Sequence, residues 1–226
     1  DAQLMHDNQG PYRMGKDFES LGLPIWDKNK FVLSADHHNP PTKDPQTKVL
    51  NITRAFAKEQ ELPHFFDGEG ICHILMAERG FVRPGGIITG TDSHTTNAGA
   101  LGAMGVAVGP TESIGIITTG EVWLRVPETI RINFNGKRPP GIWGKDLVLI
   151  ALKDIGLNGA DYQVIEWGGE AVMSLSVEDR MTLTNMSTEF AAKSTLVEVD
   201  EKTEAYLREA GVEEGWEAQS SDPDAA

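Results

Sequence analysis

Apolar and polar positions alternate along this chain in blocks of two different periods. Phe31-Val32-Leu33-Ser34-Ala35 is a short apolar run that reads as a buried strand. It leads straight into Asp36-His37-His38, and the Pro40-Pro41 pair keeps the strand from continuing. Residues 48–60 place Val49, Leu50, Ile52, Ala55, Phe56 and Ala57 at helical spacing. Residues 70–79 predict another helix, closed by Gly80. Gly86-Ile87-Ile88-Thr89-Gly90 predicts a second buried strand, running directly into Thr91-Asp92-Ser93-His94. A helix is expected over 113–123, and Pro127 then breaks the chain.

Beyond Pro127 the units repeat. Residues 129–134 alternate cleanly, with Ile130, Ile132 and Phe134 on one face, and Asn135-Gly136 is a turn signal. A helix over 145–155 stops at Gly156. It is followed by a strand over 162–167, a helix over 179–193, a strand over 195–199 and a helix over 201–210. This order predicts an α/β protein in two consecutive units, 1–126 and 127–210. An acidic, poorly ordered tail is expected over 211–226.

Two strands that each deliver an Asp/His pair to one edge make a specific geometric expectation, because open α/β sheets bind ligands at the carboxyl ends of their strands. All six histidines (His6, His37, His38, His64, His73 and His94) fall in the first 94 residues. Imidazole moves protons near neutral pH, so a site would be lined mainly by the first half. A carboxylate beside an imidazole raises its pKa and fixes its orientation, which suits Asp36-His37 and Asp92-Ser93-His94 to acid–base work. The bland alternative is a buried polar network that only stabilises the loops. His73, inside a predicted helix, reads on its own as a satisfied core residue, and nothing lifts His38 or His64 above that.

The glycines at 99, 102, 105 and 109 do not form a dinucleotide loop, since the G-x-G-x-x-G spacing is absent. The stretch Ala98 to Gly109 is too small-sided for a bulky core, and its role is expected to be close approach of a helix or loop to another backbone. Asn185 and Glu189, four apart, share one face of a predicted helix among Met181, Leu183, Met186 and Phe190.

Composition narrows the class. The formal charge is −14, and the stretch from Leu196 to Ala226 holds ten acids and two bases. An acidic surface argues against nucleic acid as a partner. No apolar run has the length of a membrane span, and the first residues do not read as a signal peptide. The single cysteine, Cys72, excludes an internal disulfide and fits a reducing compartment, so a cytoplasmic location is expected. One thiol also excludes a zinc or iron–sulfur site built from several thiolates of this chain.

Several blocks together carry a resemblance. They are Met5-His6-Asp7, Ala35-Asp36-His37, Gly68-Glu69-Gly70-Ile71-Cys72-His73, Arg83-Pro84-Gly85, Gly90-Thr91-Asp92-Ser93-His94-Thr95, Gly99-Ala100-Leu101-Gly102-Ala103, Val126-Pro127-Glu128-Thr129-Ile130 and Arg180-Met181-Thr182-Leu183-Thr184-Asn185-Met186. In these, and in order over nearly the whole length, the chain resembles the aconitase superfamily, most closely its 3-isopropylmalate dehydratase and homoaconitase-like large subunits. The resemblance implies two α/β units of the iron–sulfur-domain type, three-layered with mixed or parallel sheets. It implies a hydro-lyase that isomerises a hydroxy-di- or tricarboxylate by dehydration and rehydration, one iron of a [4Fe–4S] cluster serving as Lewis acid.

Site roles follow from the same resemblance. Asp36 and His37 would form an acid pair that helps the hydroxyl leave. His73 with Asp92, and His94, would hydrogen-bond the water or hydroxyl. His6 and Ser93 would contact substrate, and Asn185 and Glu189 would lie beside the cluster. No metal ligand is expected in this chain, because the cluster cysteines of the family lie on motifs it lacks. The chain therefore looks like about half of a large subunit, inactive and without a cluster alone. The implied partners are the cluster-bearing half, a small swivel-domain subunit and a small hydroxy acid, with neither nucleic acid nor membrane. Two readings from other classes stand beside it: a non-catalytic remnant or binding module of the same fold, and a mononuclear His/Asp metal hydrolase. The hydro-lyase reading requires His37, His73 and His94, with Asp36 and Asp92, to converge on one cavity.

Overall fold

The strand that leads to Asp36 and the strand that leads to Asp92 are not neighbours; a third strand lies between them, and it too ends in a histidine and an aspartate. The computed structural model describes residues 1–213, 215 and 216. Most of the expected acidic tail, residues 214 and 217–226, lies outside the described residues. In chain order the first half contains β1 (Ala2–His6), α1 (Pro11–Leu21), β2 (Phe31–Ala35), α2 (Asp44–Glu59), β3 (Phe65–Asp67), α3 (Cys72–Glu78) and β4 (Ile87–Gly90). A 3₁₀ segment (Ser93–Leu101), β5 (Met104–Ala107) and α4 (Pro110–Thr119) complete it. The second half contains β6 (Thr129–Asn133), α5 (Gly144–Ile155), β7 (Val164–Gly168), α6 (Glu170–Met173), α7 (Val177–Asn185), a 3₁₀ segment (Met186–Phe190), β8 (Ser194–Val197) and α8 (Glu201–Glu209).

The first sheet is parallel throughout, in the order β3-β2-β1-β4-β5. Successive residues of β1 face opposite layers. Leu4 packs with Val32, Ile88 and the α3 residues Met76 and Ala77, whereas Met5 packs with Leu33, with Met14 and Phe18 of α1, and with Ile114 of α4. Each fully buried Leu or Ile contributes about 1.5–3 kcal/mol, so two such layers hold the sheet firmly. The chain order reverses between β1 and β4, which makes the carboxyl edge there the topological switch point of the sheet.

The second sheet is also parallel, β6-β7-β8, and packs around fully buried Trp167, whose Nε1–H donates to Ser187 Oγ at 3.0 Å. Val177 and Met181 of α7 and Leu207 of α8 join the core of the first half. Arg180, fully buried, donates from Nη1 and Nη2 to the Asp200 carboxylate at 2.8 and 2.5 Å and so ties α7 to the start of α8. Burial pushes Asp200 up, but the Arg180 guanidinium and the Thr203 amide hold it down at about 2.

One expectation holds and two need correction. The stretch 98–109 does approach other backbone closely, and it is buried, with Ala100, Leu101, Ala103 and Val106 fully enclosed. Its small side chains admit backbone instead of bulk, since a Cβ on Gly99 would strike the Thr195 carbonyl and one on Gly105 the Thr95 carbonyl. The helix expected over 179–193 ends at Asn185, tightens into the 3₁₀ turn and stops where Ala191 takes a left-handed conformation (φ 59°). Past Gly211, buried Val212 and partly buried Trp216 still pack on the first core, because both are apolar where an acidic tail was expected. Among the described residues, no helix is long and apolar enough to cross a membrane.

Candidate active site

β1, β2 and β4 end within reach of one another, and each hands its next residues to the same edge. His6 closes β1 and Asp7 follows; Asp36 and His37 follow β2; Asp92, Ser93 and His94 follow β4. The first turn of α3 adds Cys72 and His73, and the last residue of α7 adds Asn185.

Asp92 is the hub. It is buried, and its Oδ2 receives His37 Nε2 at 3.3 Å and the Cys72 thiol at 3.5 Å. Its Oδ1 accepts the His94 backbone N–H at 2.7 Å and His94 Nδ1 at 3.3 Å, while His73 Nδ1 stands 3.9 Å from Oδ2. Burial alone would raise Asp92, but the hydrogen bonds from His37 and His94 outweigh it and hold the carboxyl far below its usual range. Asp36 behaves alike: burial raises it, and the bonds from His37 and the Cys72 amide lower it further.

His37 sits between these two acids. Its Nδ1 donates to Asp36 Oδ1 at 3.0 Å and its Nε2 to Asp92, and its ring stacks on His6 at 3.8 Å with 18° between planes. The two carboxylate bonds raise the imidazolium to about 10, against the opposing cost of burial. His94 is raised as well, first by its bond to Asp92 and, after burial lowers it, by the charge of Glu189.

The other two rings go the opposite way. Burial lowers His73 and His6, the positive neighbours His94 and His37 adding to it. Asn185 Nδ2 donates to His73 Nε2 at 3.0 Å, which leaves the ring's proton on Nδ1, the nitrogen facing Asp92. His6 Nε2 donates to the Thr91 carbonyl at 3.2 Å. Two imidazoles shifted toward the charged form and two toward the neutral form thus share one pair of carboxylates, the kind of split that separates acid from base roles.

The expected residues are therefore brought together, with two differences. They meet at an open edge, where His37, Ser93 and Glu189 are exposed. The physical reason is that β1, β2 and β4 present their ends side by side with nothing from these residues arching over them. Ser93 Oγ contacts His94 Nδ1 at 3.1 Å, so within this chain its partner is an imidazole. Glu189 acts on His94 through charge. His38 is tied to Asn8, and His64 lies edge-on to Phe81 on the far side of the sheet, where a cavity of about 820 Å³ holds Lys30 and Arg83.

Four residues of the site were not singled out from the sequence. Asp7 is fully buried and accepts the His37 and His38 amides at 3.1 and 3.0 Å. Thr91 holds the His6 amide through Oγ1 at 3.2 Å. Cys72 donates its backbone N–H to Asp36 at 2.8 Å. Asn97 is buried beside Asn185 in a cavity of about 410 Å³, with neither amide atom bonded among the described residues. Asp7 carried a signal of its own, since it adjoins a histidine as Asp36 does.

Three sets of ligand atoms (His6, Asp7 and His37; Asp36, His37 and Cys72; Cys72, His73 and Asp92) lie within 4.8 Å of one another. Metal ligands must be deprotonated. His37 is held protonated in two of the sets, and burial followed by the charges of Asp36 and Asp92 keeps the Cys72 thiol protonated in two. A cation bound there would have to release those protons, so its uptake would weaken as pH falls.

The sequence is 41% identical over 227 residues to 3-isopropylmalate dehydratase large subunit 1 of Methanopyrus kandleri, covering all of this chain and 54% of that protein. It is 40% identical over 228 residues to the 3-isopropylmalate dehydratase large subunit of Moorella thermoacetica, and 37% identical over 225 residues to large subunit 1 of Thermotoga maritima, again covering all of this chain and 54% and 53% of those proteins. The chain thus spans about half the length of the curated relatives it matches. The pattern of the Aconitase family (aconitate hydratase) matches residues 1–224, and the chain belongs to that family.

Proposed function

We propose that this chain is the proton-handling part of a hydro-lyase that removes water from, and returns it to, a hydroxydicarboxylate of the 3-isopropylmalate type. One observation carries the reading: four imidazoles gather around Asp36 and Asp92 at the switch point of a parallel sheet, two favoured in the charged form by carboxylate bonds and two pushed toward the neutral form by burial.

Water loss breaks a C–O bond and the C–H bond beside it to form C=C: the C–H proton passes to a base expected on the small subunit, and the departing oxygen must take a proton of its own. His37 holds one on Nε2, donated to Asp92 across 3.3 Å. That is long for a charge-assisted bond, so a substrate oxygen can displace Asp92 as the acceptor. Asp36 keeps the ring oriented from Nδ1 throughout. His94 presents Nε2, unbonded among the described residues, toward the same open edge and is backed by Asp92 at Nδ1. Neutral His73, oriented by Asn185, can donate a hydrogen bond from Nδ1, the nitrogen that stands 3.9 Å from Asp92. In the reverse direction the same groups take the proton back as water adds. Exposed Ser93 lies at the edge where substrate would lie, whereas His6 is buried behind it with its ring stacked on His37.

The relatives are named as large subunits, so a small subunit is the expected partner. The [4Fe–4S] cluster that the family implies needs several thiolates. The donors here are imidazoles, carboxylates and one thiol, so these residues do not build a cluster site. The test is turnover of the intact enzyme with its small subunit on 3-isopropylmalate and related hydroxy acids, followed by absorbance of the unsaturated product. Formation of that product is the expected result; no water loss from any of them overturns the reading.

A further inference from the structure

One buried charge has no part in that chemistry. Asp7 lies at the end of the central strand, fully buried, and a carboxylate taken out of water needs compensation. Two successive backbone amides supply it: His37 N–H reaches Oδ1 at 3.1 Å and His38 N–H reaches Oδ2 at 3.0 Å. Consecutive amides turned toward one anion form a backbone nest, here built around a side chain of the neighbouring strand. The chain leaving β2 is thereby clamped to the end of β1. The clamp sets where His37 stands, with its ring stacked on His6 at 3.8 Å and its two nitrogens at Asp36 and Asp92.

We propose that Asp7 is the positioning residue for His37: by holding the amides of residues 37 and 38 it fixes the ring where it bridges two carboxylates. Its consequence for turnover rests on the hydro-lyase reading; the geometry does not. The groups that face His37 are Asp7 and His6 from β1, Asp36 beside it, Cys72 and His73 from α3, and Asp92 and His94 after β4. All but Asp7 are left in place by Asp7→Asn, which preserves shape but must turn an N–H toward one of the two donors.

The experiment compares wild type and Asp7→Asn in the intact enzyme. Carbethoxylation, which attacks only neutral imidazole, is followed at His37 by mass spectrometry across pH, and kcat and KM are measured alongside. Misplacement of the ring is expected to lower kcat by about 10²-fold with little change in KM. The pH midpoint for His37 is expected to fall by roughly half a unit or more. An unchanged kcat together with an unchanged midpoint overturns the proposal. If the wild type shows no turnover, the function reading fails and the His37 midpoint alone decides Asp7. If Asp7→Asn does not fold, amide exchange in wild type decides: residues 37 and 38 should exchange about 10²-fold or more below the unstructured rate, and free exchange overturns the clamp.

Discussion

A single imidazole bonded to two carboxylates changes both chemistry and stability. His37→Gln removes the cation that Asp36 and Asp92 share, and it is expected to lower kcat by about 10²–10⁴-fold, the usual worth of a positioned acid. The pH dependence has a definite sign. Folding raises His37 from 6.5 to about 10, so the folded protein binds more protons in that window. Its contribution to stability is complete below 6.5 and is lost as pH rises toward 10. The denaturant midpoint of wild type should therefore decline across that window, and the decline should flatten in His37→Gln. His6 and His73 are lowered, so they give the opposite slope on the acid side of 6.5. At this scale the sequence was informative where a histidine adjoined an acid at a readable strand end, as with Asp36-His37 and Asp92-Ser93-His94. Asp7 escaped because its strand was not seen, and Asn97 because a buried, unbonded amide leaves no mark in a sequence.

Elements were legible where the hydrophobic period was long or the punctuation strong. β2, β4, α2 and α5 fall close to the spans that their apolar spacing predicts. β1, β3 and β5 were missed for separate reasons. β3 has only three residues, β5 is buried in a Gly/Ala run that reads as a loop, and β1 is a five-residue stretch with polar Gln3 second in it. Gln3 is accommodated because its amide bonds Ser113 Oγ at 2.9 Å and Thr89, a pairing visible only in three dimensions. Two substitutions test how the elements are joined. Gly99→Ala drives a methyl into the Thr195 backbone of β8 and should cost about 1–3 kcal/mol by denaturant titration, as overpacking does. Arg180→Ala leaves Asp200 without its guanidinium and should cost about 3–5 kcal/mol, with a lower thermal midpoint.

For the molecule as a whole, two parallel sheets share a boundary in which α7, α8 and the Ser93–Leu101 segment belong to one packing unit. That boundary carries Asn185 to His73 across more than a hundred residues of sequence, so the second half contributes to the site and is more than an appendage. The three carboxylates Asp7, Asp36 and Asp92 would repel a substrate dianion on their own. Charged His37 and His94 offset them, which is why the split protonation of the rings is the centre of the account. Asp92 holds both charged rings, and the measurement that bears on it most directly is turnover of Asp92→Asn beside wild type in the intact enzyme, on 3-isopropylmalate across pH. Because one substitution releases His37 and His94 together, kcat should fall by about 10³-fold and the alkaline limb of kcat/KM should move toward the ordinary imidazole range. A variant that keeps wild-type kcat with the alkaline limb unmoved would contradict the account.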